Sequence, residues 1–124
     1  MNSETNPFHA LEKIFHEPSR LAIMSALCVA TDGASFGELK ETCDLTDGNL
    51  NRHLKVLKEN KAVRIKKTFV GEKPRTTVFI TARGLDRFSD YLEALADVMK
   101  QACKALPKQK AAPAVPAPGK HAPA

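Results

Sequence analysis

Two helix-start signals eleven positions apart, Ser35 and Thr46, do most to limit what this chain can fold into. Ser35 with Glu38 three residues later is a capping box, in which the hydroxyl accepts the Glu38 amide and the carboxylate reaches back to the Ser35 amide. It starts a short helix that buries Phe36 and Leu39 and that Cys43 closes. Thr46 caps the next helix, where Leu50, Leu54 and Leu57 recur at i, i+4 and i+7 as an inward stripe. Asn60, which tolerates left-handed backbone, terminates it. With only Asp44-Leu45-Thr46 between them, the two form a helix-turn-helix.

The flanking segments complete the pattern. Asn6-Pro7 offers a cap and a proline at the first helical position, and Phe8, Leu11 and Phe15 then recur at helical spacing, which predicts a short first helix. Pro18 opens a second, with Leu21, Met24 and Leu27/Cys28 on one face, ending before Thr31-Asp32-Gly33. After the helix-turn-helix, Val63 and Ile65 alternate with Arg64 and Lys66, and Val78 and Ile80 with Thr77 and Phe79; these are two strands. The Gly- and Pro-containing segment between them makes a hairpin with a basic tip at residues 69–75. A long helix follows.

A chain of 124 residues is too short for two hydrophobic cores. The reading is therefore a disordered N-terminus over residues 1–6, one domain over 7–80, a C-terminal helix over 81–106, and a Pro/Ala/Lys tail over 107–124 that cannot bury enough surface to fold. The fold class is mainly α with a small β-hairpin, a winged helix-turn-helix with a long C-terminal dimerisation helix.

Charge points to the same central segment. Residues 1–45 carry three bases against seven acids, whereas residues 46–75 carry nine bases against Asp47, Glu59 and Glu72. A helix whose inner face is Leu50, Leu54 and Leu57 turns Gly48, Asn51, Arg52, Lys55 and Glu59 outward, flanked by Asn49. Arg52 and Asn51 have the chemistry to read guanine and adenine edges in the major groove, while Lys55 and Lys58 suit phosphate. Thr46 and the adjacent helix amides can hold another phosphate.

The segments PSRLAIMSAL, SFGELKE, LTDGNLNRHLKVLKEN and VRIKKTFVGEKPRTTVFITARG resemble winged helix transcriptional regulators related to the MarR and ArsR groups. The likeness covers about residues 7–104 and is nearest to a small stand-alone branch, whose wing reads F-x-G-x-x-P-R-T-T (Phe69 to Thr77) followed by T-x-x-G (Thr81 to Gly84). The resemblance implies a homodimer on double-stranded operator DNA. It assigns the recognition helix to residues 46–60 and the wing to 69–76, so that Lys67, Lys73, Arg75 and Thr76 join the DNA-contacting set. Lys61 departs from the pattern, since relatives commonly have glycine there, and Asn60 is expected to take over the turn. Fold alone leaves a protein-interaction or RNA-binding module as the alternative.

Other chemistries have little to stand on. Three cysteines without a close pair exclude a disulfide framework or a thiolate zinc cage. Cys43-Asp44-Leu45 lacks the second cysteine of a C-x-C metal motif, and Cys28 and Cys103 read as small buried thiols. His53 is expected to flank the core with its ring nitrogen bonded locally, and His9 and His16 to lie on the surface. No Gly-rich phosphate loop or spaced metal triad is present, so no enzyme, metal or cofactor is expected. The absence of a long apolar run and of a secretory signal predicts a cytoplasmic protein without a membrane partner. With no separate ligand domain, an effector would bind at the dimer interface or between the first helix and the last.

The C-terminal helix supplies the dimerisation expectation. Leu85, Phe88, Leu92, Leu95, Met99, Ala102 and Leu106 alternate spacings of three and four, an a/d pattern, and the charged residues all fall at outer positions. Tyr91, Ala96, Val98 and Cys103 widen the apolar face beyond what a two-stranded seam needs. The helix is therefore expected to pack on its own domain, against Phe8, Leu11 and Phe15, and on a partner as well.

Overall fold

A computed structural model describes residues 11–106. Its elements are α1 (Pro18–Val29), β1 (Ala34–Ser35), α2 (Phe36–Cys43), α3 (Asp47–Glu59), β2 (Val63–Val70), β3 (Lys73–Ile80) and α4 (Ala82–Ala105). The expected disordered N-terminus, the Asn6-Pro7 cap and the tail after Leu106 lie outside the described residues.

The expected first helix is not seen in its described part. Leu11–Glu17 makes a single tight turn, with the Phe15 and His16 amides both donating to the Glu12 carbonyl at 3.0 and 2.9 Å. Pro18 explains the interruption, because the residue before a proline is driven to extended backbone. Glu17 sits at φ −151°, ψ 131°, and from there its carboxylate accepts the Arg20 amide at 2.8 Å as the cap of α1. The segment still fills its packing role. Phe15 is fully buried, edge-on to Phe88 at 5.3 Å between ring centres and tilted against Tyr91 at 5.8 Å.

The Ser35–Glu38 capping box is present in both directions, at 3.1 and 2.8 Å. Thr46 caps α3 by accepting the Asn49 amide at 3.2 Å. The end of α3 differs from expectation. Asn60 keeps φ −91°, and the left-handed residue is Lys61, at φ 61°. The Lys61 amide donates to the Lys58 carbonyl and the Ala62 amide to Leu57, both at 2.9 Å, the paired bonds of a Schellman stop. Asn60 Nδ2 is occupied with the Val56 carbonyl at 2.9 Å, so asparagine holds the last turn while lysine makes the reversal.

The three strands form an antiparallel sheet in the order β1-β3-β2. The third strand, β1, escapes any pattern argument because it is two residues long, pairing Ala34 with Val78 and Ser35 with Thr77. The hairpin register runs from Val63↔Ile80 to Val70↔Lys73 and leaves only Gly71-Glu72 as the turn, shorter than the expected tip. Gly71 has φ 66°, as the first central residue of a two-residue hairpin turn with the right twist requires.

Inside lie Ile23, Met24 and Leu27 of α1, Leu39 of α2, the Leu50/Leu54/Leu57 stripe of α3, Val63 and Val78 of the sheet, and Phe88, Tyr91 and Ala94 of α4. No helix of the described residues is long and apolar enough to cross a membrane.

Candidate nucleic-acid interface

Burying the leucine stripe of α3 decides what its other side shows. Gly48, Asn51, Arg52, Lys55 and Lys58 are exposed, Asn49 is half-buried, and Thr46 is exposed at the cap. The Thr46 hydroxyl is already engaged by the Asn49 amide, so what it offers a phosphate is its remaining hydrogen rather than a free group. A Cβ at Gly48 would meet nothing within 4 Å, so the protein itself leaves that surface open. Asp47, the one acid in the first turn of α3, is held by Lys40 of α2 at 2.9 Å. Both groups are largely exposed, and the pair contributes little stability. Its effect is to offset a negative charge where a phosphate would approach.

The helix is steadied from behind. His53 is 8% exposed, and its Nδ1 accepts from Arg20 Nη1 at 3.1 Å. The expectation of a local partner is thus corrected: the bond spans thirty-three residues, from α1 to α3. Arg20 also donates through Nε to the Ile14 carbonyl at 2.7 Å, tying the N-terminal turn, α1 and α3 together. Since a guanidinium only donates, His53 Nδ1 must be unprotonated in this arrangement. Burial pushes the imidazole pKa down, Glu17 at 3.8 Å from Nδ1 opposes this, and Arg20 and Arg52 add to it.

The hairpin carries a second group of positive charges. Lys67, Lys73 and Arg75 are exposed and Thr76 is half-buried opposite Lys67. Lys66 is equally exposed and was not among the residues expected to contact DNA, although it carries the same charge one position earlier. Arg75 Nη2 lies 3.7 Å from Glu38 Oε1, linking the wing to the start of α2. The Glu38 carboxyl is held below the usual carboxylate range, chiefly by the Ser35 amide and secondarily by its hydroxyl, with Arg75 a smaller contributor. Phe69 and Val70, exposed beside the turn, fall within the expected wing but were not among the residues named to contact DNA. Their signal in the sequence was two large apolar residues at the end of a basic hairpin.

The seven residues expected at a dimer seam divide. Phe88 is 1% exposed, inside the chain's own core and unavailable to a partner, and Leu95 is packed against that core. Leu85, Leu92, Met99 and Leu106 are exposed, each seven residues from the next, and Ala102 is exposed beside them. Between the start of α1 and α4, a cleft of about 370 Å³ is lined by His16, Glu17, Pro18, Leu21, Tyr91 and Leu95. His16 is exposed as expected, yet its Nδ1 is 2.9 Å from the Tyr91 hydroxyl. Burial pushes the Cys28 and Cys43 thiols up, which makes them poor nucleophiles. Among the described residues, no group of three or more His, Cys, Asp and Glu side chains is placed to hold a metal ion.

Known proteins share this arrangement. An uncharacterized protein of Methanocaldococcus jannaschii is 36% identical over 88 residues, 71% of this chain and 95% of that one. The solved structure of a transcriptional regulator homologue from Pyrococcus horikoshii is 32% identical, with a TM-score of 0.70 over 77% of this chain and 94% of the other. At the level of fold, the chain is also similar to MepR, a transcription regulator of the Staphylococcus aureus multidrug efflux pump MepA, at 12% identity and a TM-score of 0.61 over 87% of this chain and 81% of that one. A MarR family transcriptional regulator from Silicibacter pomeroyi gives 18% identity and 0.60 over 87% and 69%. The proteins of known kind in this set are transcriptional regulators and not enzymes. The model of the winged helix DNA-binding domain matches residues 19–99, and with that span of sequence and the fold just described, the chain belongs to the winged helix DNA-binding domain family.

Proposed function

We propose that this protein is a sequence-specific transcriptional regulator that binds operator DNA as a homodimer, with α3 in the major groove and the wing on the backbone or in the minor groove. The observation that carries the reading is the amphipathic α3, whose buried leucines leave Asn51, Arg52, Lys55 and Lys58 exposed beside a lysine-rich hairpin. Arg52 and Asn51 read base edges; Lys55, Lys58, Lys67, Lys73 and Arg75 hold phosphates, with Thr46, Gly48, Asn49 and Thr76 at close approach.

Support for the dimer comes from the spacing on α4. With Phe88 and Leu95 turned inward, the outward seam shifts by one residue at alternate positions. It becomes Leu85, Ser89, Leu92, Ala96, Met99, Cys103 and Leu106, still alternating four and three. Large residues recur every seven and small ones lie between, which lets two helices approach closely. A two-fold axis along this seam would set two recognition helices on half-sites about one DNA turn apart. The cleft between α1 and α4 is where an effector would fit, touching both the DNA-binding and the dimerising part.

The test is selection of bound duplexes from a random library, followed by a salt titration on the recovered sequence. A dyad-symmetric motif, with affinity falling steeply as salt rises, is the expected result. Failure to enrich any sequence would count against base reading.

A further inference from the structure

The wing tip is apolar where the DNA-binding reading alone calls only for charge. Phe69 is 69% exposed and Val70 58%, while the residues around them, Lys67, Lys73 and Arg75, are basic and exposed. Phe69 lies opposite Pro74 in the strand register, so the two form an apolar pair next to the Gly71-Glu72 turn. The pair does nothing for the protein's interior, since the core cluster extends along the hairpin no farther than the Ile65–Val78 pair. Side chains alternate along a strand, so Phe69 and Lys67 share the sheet face of Val63 and Ile65, the face on which α3 packs. The aromatic ring therefore projects on the recognition-helix side, about 13 Å beyond Ile65 along the strand.

We propose that Phe69, backed by Pro74, enters the minor groove beside the major-groove site of α3 and wedges into a base step, so that the protein bends its operator. The occupant is a DNA base step because Lys67 lies on the face of the apolar pair and Lys73 and Arg75 on the opposite face of the same hairpin, cations that outnumber the one acid of the tip, Glu72, and that a polyanion complements, and because a two-residue turn makes the tip narrow. Apolar side chains pushed between base steps unstack them and kink the duplex toward the major groove. Steps of the pyrimidine–purine kind open most readily, so the wedge adds a sequence preference without any hydrogen bond to a base. This inference rests on the DNA-binding reading above.

The experiment uses the full chain and the duplex recovered by selection, with 2-aminopurine placed at successive positions and the bend measured by circular-permutation gel shift. Wild type should raise the fluorescence at one step in each half-site and bend the duplex. Phe69→Ala should lose both effects, bind roughly tenfold more weakly, and, in a repeated selection, lose the step preference under the wing while keeping the motif read by α3. Phe69→Met should retain the bend. Because Phe69 is exposed, the thermal melt of Phe69→Ala should match wild type. Wild type that binds tightly with every step still stacked, or Phe69→Ala that bends DNA equally, overturns the wedge alone. Absence of any duplex binding by wild type overturns the wedge and the DNA-binding reading together.

Discussion

Gly84 sits directly against the backbone of Ala62, so close that a Cβ on residue 84 would overlap the Ala62 carbonyl oxygen. Thr81 completes the junction. Its amide donates to the Ala62 carbonyl at 3.0 Å, its hydroxyl donates to the Lys61 carbonyl at 2.7 Å, and the same oxygen accepts the Gly84 amide at 2.8 Å. The T-x-x-G pair is thus a staple between the end of α3 and the start of α4 rather than part of the basic surface. Gly84→Ala should cost about 1–3 kcal/mol or more, since backbone rather than a flexible side chain must move. A urea titration checks it, and an unchanged midpoint would contradict the packing.

Lys61 carries the left-handed turn without the side chain suited to it. A left-handed non-glycine residue costs about 1–2 kcal/mol, partly returned by the lower chain entropy that lysine brings to the unfolded state. Lys61→Gly should therefore stabilise the fold by up to about 1 kcal/mol, read as a higher melting temperature. Destabilisation would mean that the exposed lysine makes an interaction worth more than the strain.

Arg52 and Lys73 should differ in kind. Loss of a bidentate base contact in Arg52→Ala should cost about 1–3 kcal/mol on the operator and relax preference at one position. Lys73→Ala should weaken operator and random DNA alike and lower the salt slope by roughly one. Equal loss on both DNAs for Arg52→Ala would remove it from base reading.

Burial of His53, with Arg20 beside it, makes stability depend on pH. Folding lowers the imidazole pKa, so the folded state resists a proton that the unfolded chain accepts. The contribution is present above the ordinary value of 6.5 and is lost as pH falls through the lower folded value. Stability should drop as the solution is acidified below 6.5, and His53→Gln, which keeps an acceptor but does not titrate, should flatten that part of the profile. A wild-type melt unchanged on acidification through this range would refute the assignment.

Leu92 and Leu95 separate dimerisation from folding. Leu92 is 42% exposed, so Leu92→Glu should give folded monomers that lose tight operator binding. Leu95 packs on the core cluster, and Leu95→Glu should instead lower stability. Sedimentation and circular dichroism distinguish the outcomes, and wild type sedimenting as a monomer at micromolar concentration would sink the dimer.

The boundaries of α2 and α3, the leucine stripe and the basic face of α3 were legible in the sequence because each rests on local rules. A capping hydroxyl sees the amide three residues on, and a helical stripe repeats every 3.6 residues. The strand pair was legible for the same reason, through its alternation. Tertiary structure alone decided the rest. It kept Phe15 in the core although the segment before Pro18 is a single turn, and it brought Arg20 to His53 across thirty-three residues. It also divided the apolar width of α4 between an inner face at Phe88, Tyr91 and Ala94 and an outer one at Leu85, Leu92 and Met99. Spacing measures the angle between side chains on one helix, but which side meets the core depends on where other elements pack, and no local interaction carries that information.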